Sequence, residues 1–305
     1  MITYSQNFED VMLERLFGEV KQGFYIDVGA WDPDIHSVTR HFYDKGWSGV
    51  NVDPIAARMQ AFEIARPRDI NLCVAVGSQP GTMTFYECVE ESYLSTLDVA
   101  TAEEMRERGL TVVEHTVPVL TLAEILERHC PRTVDFLKID VEGFEGELIK
   151  GLDLKRYRPR ALVIEATRPA NAPSSWDEFD SIGTWSSWEP DLLASGYALA
   201  HFDGLNRFYL REEDAGLALR LTLPPNVFDF YESAAFQRMK DELAAVEADR
   251  GLKDAVIARL SKDLEEVRAD QAAKQVVIDG LLKRLESNGL KRSLTQRLKR
   301  GAVNP

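Results

Sequence analysis

The sequence predicts an α/β fold: a Rossmann-like, mostly parallel sheet with one antiparallel strand over residues 1–228, then a long C-terminal coiled-coil helix over 229–287 and a basic tail over 288–305. Three observations carry that prediction. Short apolar runs alternate with helical segments until about residue 212, the pattern of a sheet covered on both faces. The first run, FYIDV, ends in a turn at Gly29, and the next ends in Asp53, roughly the spacing at which such sheets place an acid on ribose hydroxyls. From Met239 to Leu285 the apolar residues follow a 4-3 alternation instead.

Strands are expected, in order, at Phe24–Val28, 49–52, 72–76, Phe136–Ile139 and Ala161–Glu165, closed by an antiparallel pair at Tyr197–Phe202 and 207–210. Gly77, Pro80 and Gly81 punctuate a turn before an extra strand. Thr121 and Glu124 form a T-x-x-E capping box that starts a helix at Leu122–His129, leaving 92–119 as an insertion with its own short helix. Glu142, Glu145 and Glu147 are expected to open a further helix, where acids suit the dipole. The coiled-coil seam is interrupted by Arg250 with Lys253 and by Gln271 with Lys274. Polar seam residues cost stability but restrict register and oligomer number, so self-association as a dimer or trimer is expected, with a different protein as the alternative partner.

Composition narrows the class. A net charge of -14 argues against nucleic-acid binding, which needs an excess of Lys and Arg to meet phosphates. There is no run of about 18 apolar residues, and MITYSQNFEDVMLERLF is too polar and acidic for a signal peptide, so a cytoplasmic protein is expected. Cys73, Cys88 and Cys130 lie far apart without a C-x-x-C pair, which argues against zinc and a disulfide framework. The tail carries Lys291, Arg292, Arg297, Lys299 and Arg300, no acid, and an apolar stripe at Leu290, Leu294 and Leu298. It suits contact with an anionic membrane surface or a partner enzyme; a frayed end is the alternative.

After Gly29 come Ala30, Trp31, Asp32, Pro33 and Asp34 rather than the glycines that let backbone amides reach a pyrophosphate. A cationic nucleoside such as S-adenosylmethionine tolerates those carboxylates better. Ligands of open α/β sheets lie beyond the carboxyl ends of the strands, where this chain has Asp27, Gly29, Asp53, Asp140 with Glu142, Glu165, and His201 with Asp203. Gly29 and Ala30 are expected to approach the methionine portion, Asp53 to accept from the ribose, and Asp27 and Asp140 to complete the cofactor side. Helix capping for Asp53 and a satisfied strand-end carboxylate for Asp27 remain the alternatives. Lys138 and Asp140 alternate with Leu137 and Ile139 on a central strand, so the two charges are paired or lie at the site. Trp176, Trp185 and Trp188, in a Pro, Ser and Asp rich loop, offer flat surfaces for a sugar. The alternative is a cluster that pins the loop, and Trp188 beside Pro190 fits that better.

The segments SQNFED, GFYIDVGAWDP, HFYDKGWSGVNVDP, DFLKIDVEGFEGELIKGL and FDGLNRFYL, in this order, resemble the FkbM family of S-adenosylmethionine-dependent methyltransferases. The resemblance spans nearly all of residues 1 to about 212 and implies a class I methyltransferase fold and O-methylation, commonly of sugar hydroxyls. Methyl transfer needs a held acceptor oxygen and a base, for which Asp140, Glu165, His36 and His201 are the candidates. Some class I sugar and catechol methyltransferases instead hold magnesium on acids at two adjacent strand ends, which here are Asp140 and Glu165. By analogy, the layout suits surface-polysaccharide biosynthesis in a bacterium, beside a glycosyltransferase at the inner membrane. A small secondary metabolite as acceptor, or a non-catalytic assembly protein with a degenerate head, are the competing readings.

Overall fold

The computed structural model describes residues 1–130, 133–167, 183–248 and 253–287; Trp176 and the basic tail fall outside them. The chain divides into two compact units, residues 3–223 and Met1–Ile2 with 224–305.

In the first unit, strands β1 (Phe24–Val28), β2 (Ser48–Val52), β3 (Ile70–Leu72), β7 (Phe136–Ile139), β8 (Ala161–Glu165), β9 (Tyr197–Phe202) and β10 (Asn206–Arg211) form one sheet in the order β9-β10-β8-β7-β1-β2-β3. A three-stranded sheet of β4 (Ala75–Val76), β5 (Gly81–Cys88) and β6 (Val112–Leu120) stands beside it. All neighbours from β3 to β8 pair in parallel, and β10 runs antiparallel to both β8 and β9. Burial on both faces explains why β1 is apolar but for Asp27. Ile26 and Val28 point into a core with Leu137, Ile139, Leu162 and Ile164, while Tyr25 points into another with Phe42, Trp47 and Phe136.

Helix α1 (Glu9–Phe17) packs its buried residues Met12, Leu13, Leu16 and Phe17 into the second of those cores. The polar start of the chain is tied to it: Asp10 accepts from Thr3 Oγ1 at 2.6 Å, Ser5 Oγ at 2.7 Å and Tyr4 N at 2.8 Å. Helices α2 (Ala56–Ala65), α3 (Val99–Glu107), α4 (Leu122–His129) and α5 (Glu145–Lys150) follow. The capping box at Thr121 and Glu124 is present, with α4 bounded as its sequence indicates.

Three expectations need correction. The strand predicted at 72–76 is two pieces: the chain leaves the main sheet after Leu72 and rejoins at Ala75, which pairs with Val119 in the smaller sheet. The insertion contains a nine-residue strand, β6, besides its helix α3. Only Val117 and Val119 of β6 are buried, and Glu114, His115, Thr116 and Pro118 blur its alternation, so its ladder with β5 holds it rather than an apolar face. Glu142 does not open α5 but precedes it in a left-handed turn, with φ +52° there and +95° at Gly143.

The second unit contains helices α6 (Ala234–Ala248) and α7 (Lys253–Ser287), which approach each other. Along the predicted seam Leu260 is 5% exposed and Leu281 45% exposed. Among the described residues no helix is long and apolar enough to cross a membrane.

Candidate active site

The turn after β1 is built from both sides. Gly29 N and Ala30 N both donate to Val52 O, at 3.0 and 3.1 Å, which ties the turn to the end of β2. Gly29 has φ +77°, and a Cβ there would stand 1.7 Å from the Asp140 carbonyl oxygen at the end of β7. From behind, the fully buried Arg66 donates to Pro33 O, to Ser37 Oγ at 2.5 Å and to Thr39 Oγ1 at 2.6 Å. That guanidinium fixes the loop on which Trp31 and His36 stand, their rings stacked 5.7 Å apart and Trp31 Nε1 donating to Ser92 Oγ at 3.1 Å.

A cavity of about 460 Å³ runs along the carboxyl ends of the strands, within the range of small-molecule sites. The sheet order gives it two ends. Beyond β2 and β3 it is lined by apolar groups, among them Val74, Val76, Phe85, Leu94 and Leu97. Beyond β7 and β8 it meets Asp140, Glu142 and Glu165, and Gly29, Ala30 and Asp53 lie between. Asp53 Oδ1 accepts from Ile55 N at 2.8 Å and Oδ2 from Arg58 at 2.9 Å, and the Trp31 backbone also hydrogen-bonds this nearly buried carboxylate. Burial pushes the Asp53 carboxyl up, and Arg58 opposes it.

Lys138 joins the Gly29 turn to the acidic end. Its ammonium donates to Gly29 O at 3.0 Å and pairs with Asp27 at 3.4 Å and Asp140 at 3.2 Å. Burial lowers its pKa, but the Asp140 and Asp27 carboxylates outweigh that and push it up, so it stays charged. Beyond it one carboxyl oxygen from each of Asp140, Glu142 and Glu165 lies within 4.8 Å of the other two. Burial, then the charges of Asp140, Glu142 and Glu145, push the Glu165 carboxyl well above the carboxylate range. Burial and Asp140 do the same to Glu142. Glu145 folds back to accept from Gly143 N at 3.1 Å and is pushed up to about 7, chiefly by burial.

Of the residues singled out in the sequence, Gly29, Ala30, His36, Asp53, Asp140 and Glu165 line one cavity. Asp27 does not line it: buried beneath the turn, it accepts from Thr39 Oγ1 at 3.2 Å and meets the cavity only through Lys138. His201 and Asp203 are also displaced from it. His201 packs edge-on against Phe208, and Asp203 accepts from Leu205 N and Asn206 N in the β9–β10 turn, so Leu205 alone of that turn reaches the cavity. Trp185 carries Arg207 4.1 Å above its ring and Trp188 is buried in the main core, so both pin the chain rather than face a ligand. Sequence reasoning missed Gln6, Arg58 and Tyr93 as lining residues; only Gln6 had a signal, its place in SQNFED.

The donor set fits a cationic nucleoside better than a pyrophosphate. Arg58 and Lys138, the strong bases lining the cavity among the described residues, are each paired with carboxylates. The fold and cavity define a methyltransferase-like α/β domain with a mixed, mostly parallel sheet. The family model described as methyltransferase FkbM domain matches residues 27–186. The chain belongs to that family of S-adenosylmethionine-dependent methyltransferases. No curated protein matches the chain. Among solved structures it is similar to a SAM-dependent methyltransferase from Geobacter sulfurreducens in complex with S-adenosyl-L-homocysteine, at 11% identity and a TM-score of 0.30, over 90% of this chain and 87% of that one.

Proposed function

We propose that the chain transfers a methyl group to a sugar hydroxyl of a glycan or activated sugar, in bacterial surface-polysaccharide biosynthesis. The observation that carries this reading is the two-ended cavity, apolar beside Asp53 and acidic beyond Asp140. When bound, S-adenosylmethionine supplies its sulfonium methyl to the acceptor oxygen, C–O forming as C–S breaks, and S-adenosylhomocysteine departs. Asp53 accepts from the ribose, and the turn at Gly29 and Ala30 holds the methionine portion. Asp140, Glu165 or His36 takes the hydroxyl proton; a carboxyl raised by burial is the stronger base once ionised. Magnesium on Asp140 and Glu165 belongs to the same reading, because a hard cation would gather the acceptor oxygens.

The test is calorimetric titration with S-adenosylhomocysteine, in the wild type and in Asp53→Ala. Micromolar binding by the wild type is expected, weakened in the variant by about 1–3 kcal/mol through loss of a charged hydrogen bond. Unchanged affinity would remove Asp53 from the ribose, and no binding by the wild type would remove the enzyme reading.

We propose also that two or three copies associate through the 4-3 seam of α7, and that the basic tail contacts an anionic membrane surface or a glycosyltransferase. The open seam at Leu281 supports the first and composition the second. A chain ending at Phe230 should sediment as a monomer and the full chain as a larger species that floats with anionic vesicles. Equal sizes, or no flotation, would end the corresponding proposal.

A further inference from the structure

We propose that Arg58 is a positioning residue: it holds Asp53 and, with Trp31, latches the segment 92–97 against the Gly29 turn, so that a nucleoside enters and leaves the cavity only as that latch opens. The inference rests on the methyltransferase reading for the identity of the ligand, but the latch itself stands on geometry. Arg58, in the first turn of α2, donates to Asp53 Oδ2 at 2.9 Å and to Ser92 O at 2.6 Å. Trp31 Nε1 donates to Ser92 Oγ at 3.1 Å, and the Trp31 backbone hydrogen-bonds Asp53. Asp53, Arg58, Ser92 and Trp31 therefore close a ring drawn from three separate stretches of chain. Outside the ring, Thr96 Oγ1 adds a link to Glu142 O at 2.8 Å.

The ring governs access because it joins two walls of the cavity. Val28, Val52 and Asp53 line it from the main sheet, and Tyr93, Leu94, Ser95 and Leu97 from the insertion. Leu94 packs with Cys88 and Met105, and Leu97 with Phe85 and Val117, so the segment belongs to the packing of the smaller sheet and α3. Polar bonds from Arg58, Trp31 and Thr96 tie it to the other wall. Tyr93 is 55% exposed although it lines the cavity, which places it at a mouth. Trp31 stands at φ +52°, a conformation that strains a bulky residue and persists only where its surroundings enforce it. Strain released on opening keeps such a latch from being permanent. A bond made whether the ligand is in or out, but broken while it passes, slows entry and release alike and leaves affinity unchanged. A contact to the ligand itself acts mostly on release.

The experiment uses the full chain and tritiated S-adenosylhomocysteine, whose release is timed after a chase with unlabelled ligand; calorimetry gives the affinity, and the two together give the entry rate. Lysine keeps a charge beside Asp53 but lacks the planar fork that also reaches Ser92 O. Arg58→Lys should therefore speed release and entry together by about tenfold, the weight of one lost hydrogen bond, and hold affinity within about threefold. Ser92→Ala, which removes the acceptor of Trp31 Nε1, should speed both rates by about threefold and serves if Arg58→Lys misfolds. Amide hydrogen exchange across 89–98, followed without ligand, should be faster in both variants than in the wild type. Faster release with unchanged entry would mean that Arg58 acts only on the bound ligand, and would overturn the latch. Unchanged rates would overturn it equally. No S-adenosylhomocysteine binding by the wild type would sink the methyltransferase reading, and exchange would then decide the latch by itself: faster in the variants keeps it, equal removes it.

Discussion

Gly29→Ala should abolish S-adenosylhomocysteine binding and lower stability by at least about 3 kcal/mol, an effect far larger than a single methyl group suggests. Two costs add. The residue sits at φ +77°, where a side chain is strained in any surroundings, and the new Cβ would stand 1.7 Å from a backbone oxygen, that of Asp140. A side chain could rotate away, but a strand end cannot. Relief requires β1 and β7 to part, which breaks the hydrogen bond from Asp140 N to Val28 O and shifts the carboxylates beyond. Gly46→Ala is the matched control, since Gly46 has φ +92° with nothing within 4 Å of the added atom. It should cost only about 1 kcal/mol and leave binding unchanged. Thermal melts and calorimetry on the two variants separate backbone conformation from close approach. Equal effects would mean that the close approach at Gly29 is not what shapes the turn.

Much of this geometry was legible because it follows from local chemistry. A strand buried on both faces is mostly apolar, so β1, β7 and β8, each carrying a single charged residue, could be bounded from composition, and the capping box of α4 is a four-residue pattern with its own hydrogen bonds. Strand ends then gave Asp53, Asp140 and Glu165 their common location. What was not legible depends on partners distant in the chain. β6 exists because β5 pairs with it along its whole length, and its exposed residues carry no period to announce that. Asp27 faces a lysine 111 positions away on the neighbouring strand, a register no local pattern encodes. Glu142 resembled Glu145 and Glu147 as a helix-opening acid, and only the left-handed turn at 142–143 turns it toward the cavity.

Lys138→Met should be the second large effect, and its sign with pH is diagnostic. Methionine keeps the length and most of the packing of the buried stem but removes the ammonium that meets Asp27, Asp140 and Gly29 O. Asp27 Oδ1 then loses the charge that compensates it, in a residue 1% exposed, and breaking a buried pair in this way costs about 3–5 kcal/mol at neutral pH. In the wild type the lysine stays charged at both pH values, because its neighbours push its pKa up. In the variant the uncompensated carboxylates take up protons more readily in the folded chain than in the unfolded one. Stability lost at neutral pH should therefore return as the pH falls toward the carboxylate range. Denaturant melts at pH 5 and 7.5 read this directly, and Asp27→Asn added to Lys138→Met should recover much of the loss at pH 7.5. A variant as stable as the wild type at both pH values would show that this ion pair contributes little to holding the Gly29 turn over the acidic end of the cavity.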